Sequence, residues 1–194
     1  MIWFTADTHF GHTNIIDYCH RPFKTATLMD EALIAAWNKV VSPFDMVYHL
    51  GDFGYPFSSS LFDAVVRRLH GSSIYLLSGN HDAVKSPLNP RFHLLQRDIH
   101  KLSYMNPKRK IYTFILCHYP LLSWQKKGSG SIHLHGHCHG GISSYPRRYD
   151  VGVDARHPRH PRFAPISIIT LTKWADRDNR ISPPYGSTKG VDDE

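Results

Sequence analysis

Five short apolar runs in this chain each end in residues that can bind a cation or move a proton. IWFTA (2–6) leads into Asp7-Thr8-His9, MVYHL (46–50) into Gly51-Asp52, and IYLLS (74–78) into Gly79-Asn80-His81-Asp82. IYTFILC (111–117) leads into His118, and IHL (132–134) into His135-Gly136-His137-Cys138-His139. Apolar runs of this length read as buried strands. In open α/β sheets, ligands bind beyond the carboxyl ends of the strands, so one site assembled from five segments is the economical reading. Residues i and i+2 of an extended segment face the same side. Asp7 and His9 are therefore expected to turn together with Thr8 facing away, and His137 with His139, leaving Cys138 outside. Gly51, Gly79 and Gly136 suit tight turns that a Cβ would hinder.

The remaining pattern is that of an α/β chain. A helix is expected over 28–41, capped by Thr27, with Leu28, Ala32, Ala35 or Ala36 and Val40 at helical spacing, Asp30 and Glu31 in its first turn and Pro43 ending it. A second is expected over 59–70, closed by Gly71. Further strands are expected over 149–153 and 166–171. Strands alternating with helices imply crossover units, and the strand-rich second half points to a sandwich of mixed sheets. A chain of 194 residues suits one domain, taken as 1–174, with 175–194 a polar, mobile tail. Hydrophobic residues at 41% and charged residues at 20% exclude a disordered chain. No apolar run approaches the roughly 18 residues a membrane helix needs, and the opening MIWFTADTHFGH lacks the basic region of a signal peptide. Cys19, Cys117 and Cys138 are too scattered for a disulfide framework, which fits a cytoplasmic protein with no membrane or obligate protein partner. The net charge of +7 favours anionic partners.

The ordered blocks D-x-H, G-D, G-N-H-D, H and G-H-x-H resemble the calcineurin-like metallophosphoesterase superfamily, and they span residues 7 to 139. The opening DTHFGHTNII with Arg21-Pro22-Phe23 is similar to a compact bacterial and phage branch of it. That resemblance implies a four-layer α/β sandwich of mixed β-sheets flanked by helices. It also implies two divalent metal ions, with Asp7, His9 and His139 on the first, Asp52 bridging, and Asn80, His118 and His137 on the second. Mixed oxygen and imidazole ligands suit manganese, the first choice here, and also iron, zinc or nickel. His81 matches the family's catalytic histidine and would protonate the leaving oxygen, with Asp82 orienting its imidazole. The implied reaction is in-line attack on a phosphoester by a metal-bridging hydroxide. A phosphodiester of nucleotide or nucleic-acid origin is favoured, because a chain this short leaves no room for a large cap. A phosphomonoesterase (nucleotidase or protein phosphatase), a nuclease or a binding module that has lost catalysis are the alternatives.

Each motif has a plainer reading. A single Asp-x-His commonly begins a polar loop, and a single Gly-Asp a turn; five in order are not coincidence. His49 and His135 each precede a block glycine and read as core or supporting histidines. His12 could reach substrate or make structural hydrogen bonds. Arg21 could fork onto a phosphate or form a surface ion pair. The loop 147–162 carries Arg147, Arg148, Arg156, Arg159 and Arg162 with His157 and His160, and either contacts a phosphate backbone, with Arg156 the candidate substrate contact, or is a solvated basic loop.

Overall fold

Each strand of one sheet buries both faces, which is why its apolar runs are nearly continuous. The computed structural model describes residues 1–55, 59–82, 89–95, 98–143 and 145–178. That sheet holds β1 (Ile2–Thr5), β2 (Met46–His49), β3 (Ser73–Leu77), β4 (Phe92–Leu95) and β9 (Ile166–Ser167), in the order β4-β3-β2-β1-β9. Strands β1 to β4 are parallel, and β9 lies antiparallel beside β1. The second sheet holds β5 (Ile99–Met105), β6 (Ile111–Cys117), β7 (Ile132–His135) and β8 (Arg148–Asp150), in that order, with β5 antiparallel and the others parallel. Among the described residues four α-helices flank them: α1 (Ile15–Tyr18), α2 (Ala26–Val40), α3 (Ser59–Arg68) and α4 (Ile168–Asp178).

Strand periodicity divides the core in two. Val47, Ile74, Leu76 and Phe92 face the helices, against Met29, Leu33, Trp37, Val65 and Val66. Phe4, Tyr48 and Leu77 face the second sheet, against Phe114, Leu116, Ile132 and Leu134. The Phe4 ring stacks against both Tyr48 and Phe114, with centroids 5.7 Å from each. Helix α4 closes this inter-sheet core with Ile168, Leu171 and Ala175.

Several expectations shift. Helix α2 starts two residues before 28, because Thr25 and not Thr27 is the N-cap: its hydroxyl accepts from the Leu28 amide at 3.2 Å. Its buried face is Met29, Leu33, Ile34 and Trp37, whereas Leu28 is exposed, because the larger side chains take the core. The run 166–171 is a strand only at 166–167. From Ile168 it is helical, since Ile168, Leu171, Thr172 and Ala175 form a helical stripe. That helix carries 175–178 into the folded domain, and 179–194 lie outside the described residues. Strands β4 and β5 are additional; β5 alternates exposed Ile99, Lys101, Ser103 and Met105 with half-buried His100, Leu102 and Tyr104. Among the described residues no helix is long and apolar enough to cross a membrane.

The sheets join at the carboxyl ends of their parallel strands. Ala6 and Gly152 form a parallel bridge, and the Val153 amide donates to the Ala6 carbonyl at 3.1 Å. This seam brings the chain after β8 against the chain after β1. Phe4→Ala should empty a fully buried ring site and cost about 3–5 kcal/mol. Urea unfolding should show a lower midpoint with an unchanged slope; an unchanged midpoint would mean that the sheets do not pack through this ring.

Candidate metal centre

Beyond the ends of β1 and β2 the backbone ladder continues through the turns themselves. The Asp7 amide donates to the Gly51 carbonyl at 2.9 Å, His9 to Asp52 at 3.0 Å and Phe10 to Phe53 at 2.9 Å. The turns are not extended. Asp7, His9, Asp52, His137 and His139 all have left-handed φ angles between 47° and 69°. For residues with a Cβ such a conformation costs on the order of 1 kcal/mol or more each, and surrounding bonds must impose it. The expected i, i+2 alternation is therefore not what aims these side chains; left-handed turns do. They also split His137 from His139, which fall in different donor groups. Glycines make room for the carboxylates: a Cβ on Gly79 would lie 2.2 Å from Asp52 Oδ1, and one on Gly152 2.3 Å from Asp7 Oδ2.

Among the described residues His139 also falls within 4.8 Å of Cys19 and Asp154 donors; beside that set stand two groups of equally close donor atoms, Asp7, His9 and His139 in the first, and Asp52, His118 and His137 in the second. Asp52 lies between them. Its Oδ2 is 3.6 Å from His9 Nε2 and 3.5 Å from His118 Nε2. Asn80 Oδ1 completes the second group, 3.1 Å from His118 Nε2 and 3.0 Å from His137 Nδ1.

The donor set fits cations. His118 Nδ1 donates to the Leu50 carbonyl at 2.8 Å, so its Nε2 faces two oxygen acceptors and needs a second proton or a metal ion between them. His9 Nε2 is buried with no hydrogen-bond partner. Burial drives the His9 imidazole far down, against the Asp52 charge, and keeps its lone pair free. Burial pushes the Asp52 carboxyl up, but His118, the His81 amide and His9 outweigh it and hold it well below the carboxylate range. Burial, helped by the Asp150 charge, raises Asp7 to about 7 against the pull of His139, His118 and the His137 amide.

Asp154 holds this arrangement, and the sequence reading passed over it, although it follows the apolar run 149–153 as the other site residues follow theirs. Asp154 Oδ2 accepts from His139 Nδ1 and from Arg21 Nη2, each at 2.7 Å, and Oδ1 accepts from Arg21 Nε at 3.0 Å. Burial works against a charged His139, but the bonds to Asp154 and Cys19 and the Asp7 charge raise it to about 10. Arg21 is neither a phosphate contact nor a surface ion pair. It is buried, and its remaining donors go to the Asp7 and Thr8 carbonyls and to Met29 Sδ.

Asp82 also needs correction. Its carboxylate accepts from the amides of Asp52, Phe53 and Gly79 at 2.7–2.8 Å, which locks the two turns together and leaves it no role in orienting the His81 ring. The His81 ring nitrogens form no hydrogen bond among the described residues. The ring stands edge-on to His9, centroids 5.3 Å apart, and beside Tyr55 at 5.4 Å. His12 is also at the site, its Nδ1 3.3 Å from His9 Nδ1. Tyr55 packs on His12 and His81, and Tyr119 on His118 and His137, so two half-exposed tyrosines flank the donors. Neither was flagged by the sequence, since both lie one residue or more past the motifs. Arg156 instead lines a cavity, with Gly140, Arg159 and Arg177, that none of the donor residues lines. His49 is a core histidine bound to Thr8 Oγ1 at 2.9 Å.

The sequence profile described as calcineurin-like phosphoesterase matches residues 1–180. The chain belongs to this family. Its general activity is accordingly phosphoester hydrolysis supported by metal ions. An uncharacterized protein of Methanocaldococcus jannaschii is 33% identical over 181 residues, covering 91% of this chain and 92% of that protein. The gene 66 protein of Mycobacterium phage D29 is 28% identical, covering 82% of this chain and 91% of its own length. The crystal structure of a protein of unknown function from Aquifex aeolicus superposes with a TM-score of 0.64 at 23% identity, over 89% of this chain and 98% of that one, and shares the fold.

Removing Arg21 leaves the buried Asp154 carboxylate with His139 alone and takes the guanidinium donors from the Asp7 and Thr8 carbonyls. Arg21→Ala should cost about 3–5 kcal/mol, and Arg21→Lys should recover only part of it, since an ammonium cannot fork. Arg67→Ala, which breaks an exposed helical ion pair with Asp63, is the control and should leave the denaturation midpoint unchanged. Equal midpoints for the Arg21 and Arg67 variants would show that the buried pair holds nothing.

Proposed function

We propose that this chain hydrolyses a phosphodiester, of nucleotide or nucleic-acid origin, at a centre of two divalent cations, with manganese the first to test. The position of Asp52 carries this reading: one carboxylate oxygen lies within 3.6 Å of a histidine from each donor group. Asp7, His9 and His139 would hold one ion and Asn80, His118 and His137 the other, with Asp52 shared. When bound, such a pair neutralises phosphoryl charge and lowers the pKa of water. The protein does the rest. Arg21 and Asp154 keep His139 turned by its Nδ1, leaving Nε2 for the first ion. The Leu50 carbonyl does the same for His118. His81, with ring nitrogens unengaged, donates a proton to the departing ester oxygen. Tyr55 and Tyr119 wall the donors with exposed aromatic rings suited to a base or an aryl group, and this open form favours a diester over a small enclosed monoester.

Metal analysis should find two ions per wild-type chain. Asp52→Asn should hold fewer, and its turnover should fall at least about 10²-fold; two ions and normal turnover would remove Asp52 from between them. Faster cleavage of p-nitrophenyl phosphate than of bis(p-nitrophenyl) phosphate would overturn the diester preference.

Replacing His81 separates catalysis from binding. His81→Ala should keep its metal while kcat falls by roughly 10²–10⁴. The loss should be larger for an alkoxide leaving group, such as a nucleoside hydroxyl, than for a stable phenolate. A uniform loss with lost metal would assign the proton to another donor, His12 first.

A further inference from the structure

Beside Gly140, which follows His139, lies a cavity of about 810 Å³, lined among others by Gly140, Tyr145, Arg148, Arg156, Arg159 and Arg177. Its volume is within the range of small-molecule sites. It shares a wall with the metal centre. Gly140 follows His139 and packs against Ala155, which follows Asp154; a Cβ on Gly140 would lie 3.4 Å from Ala155 Cα. The Gly140 amide is tied to Asp150 Oδ2 at 2.9 Å, which fixes this wall in place.

The charge lining the cavity is unbalanced. Asp150 spends its carboxylate on the amides of Gly140 and Gly152, and Asp178 on Tyr149 and the Arg147 amide. Arg156, Arg159 and Arg177 are exposed and have no ion pair among the described residues. The rest of the basic loop is committed elsewhere: Arg147 bonds the Gly130 carbonyl, Arg162 lies 4.6 Å over the Phe163 ring, and His157 and His160 bond backbone carbonyls. Four guanidiniums thus line one concavity, Arg148 from β8, Arg156 and Arg159 from the loop and Arg177 from α4: Arg148 donates to the Ser143 carbonyl, and the other three have no ion pair among the described residues.

We infer that this cavity binds the phosphate backbone of a single-stranded nucleic acid whose neighbouring phosphate lies at the metal centre. The inference rests on the proposed phosphodiesterase reading, and it names the substrate. Guanidiniums pair with phosphate oxygens through their planar fork. The aromatic rings here offer no free stacking platform, since Trp174 packs against both His157 and Tyr149 and Tyr145 is covered by Lys127 and Arg148. Recognition is therefore by charge along the backbone and independent of base sequence.

The test uses the full chain stripped of metal, a short fluorescein-labelled single strand, and anisotropy across a salt series. Wild type should bind, and Kd should rise steeply with salt. Removing one arginine–phosphate pair lowers the slope of log Kd against log salt by about 0.7. The combined Arg156→Ala, Arg159→Ala and Arg177→Ala variant should therefore lose about 2 from that slope, and its Kd at low salt should rise about tenfold or more. Arg156→Glu alone should weaken binding further than Arg156→Ala. Equal slopes for wild type and the triple variant at equal thermal stability would overturn the proposal, as would displacement of the strand by polyglutamate at matched charge. Manganese-dependent hydrolysis of bis(p-nitrophenyl) phosphate by the wild type is read separately. If hydrolysis is absent but arginine-dependent strand binding persists, the catalytic reading falls and the cavity stands. If hydrolysis is present and the arginines do not matter, the cavity falls alone.

Discussion

One buried ion pair sets the geometry of the whole centre. Arg21 delivers every one of its donors: two to Asp154, one each to the Asp7 and Thr8 carbonyls, and one to Met29. Asp154 in turn orients His139. Asp7 and His139 are thus both tied, through the Asp7 carbonyl and through Asp154, to one guanidinium whose every donor is engaged. A charge this deep is stabilising only while all its partners are in place, so the pair makes the arrangement specific as well as stable.

The same logic explains the unusual backbone of the site. Five donor residues occupy left-handed conformations that residues with a Cβ avoid. The bonds that impose them are visible: Asp82 gathers three amides across two turns, and the Asp7 carboxylate accepts from the His137 amide at 2.9 Å. The side chains so aimed are mostly acceptors. Their convergence is unfavourable without positive charge: burial raises Asp7 to about 7, while His139, against its own burial, is raised to about 10 by its bonds to Asp154 and Cys19 and by the Asp7 charge. Repulsion between the converging acceptors favours positive charge at the centre.

Most of the ligand constellation is legible in the sequence, because strand ends announce themselves by an apolar run followed by a polar residue. Supporting roles are less so. Arg21 and Asp154 are 133 residues apart, and nothing local marks them as partners. Asp82 lies within the G-N-H-D block, yet whether its carboxylate meets a ring or a set of amides depends on a turn that pattern alone does not define. The run 166–171 is equally apolar as strand or helix over its first residues, and only the stripe continuing to Ala175 decides for helix. Strand β5 is an edge that mixes polar and apolar residues on both faces, exposed Ile99 and Met105 on one and half-buried His100 on the other, so its alternation is weak. Tyr55 and Tyr119 gain meaning only from their neighbours in space.

The seam at Ala6 and Gly152 has a consequence for how the molecule comes into being. The contacts that complete the centre join residues about as far apart as the fold allows, Asp7 with His137 and Arg21 with Asp154. Closing loops of that length is slow and comes after local structure has formed. A nascent chain lacking β8 could already have its first parallel strands, their helices and His139, but it would lack the carboxylate that turns that histidine. Chemistry therefore arrives as the last event of folding and not gradually. A ribosome-bound fragment would be inert towards phosphoesters until almost the entire domain has emerged.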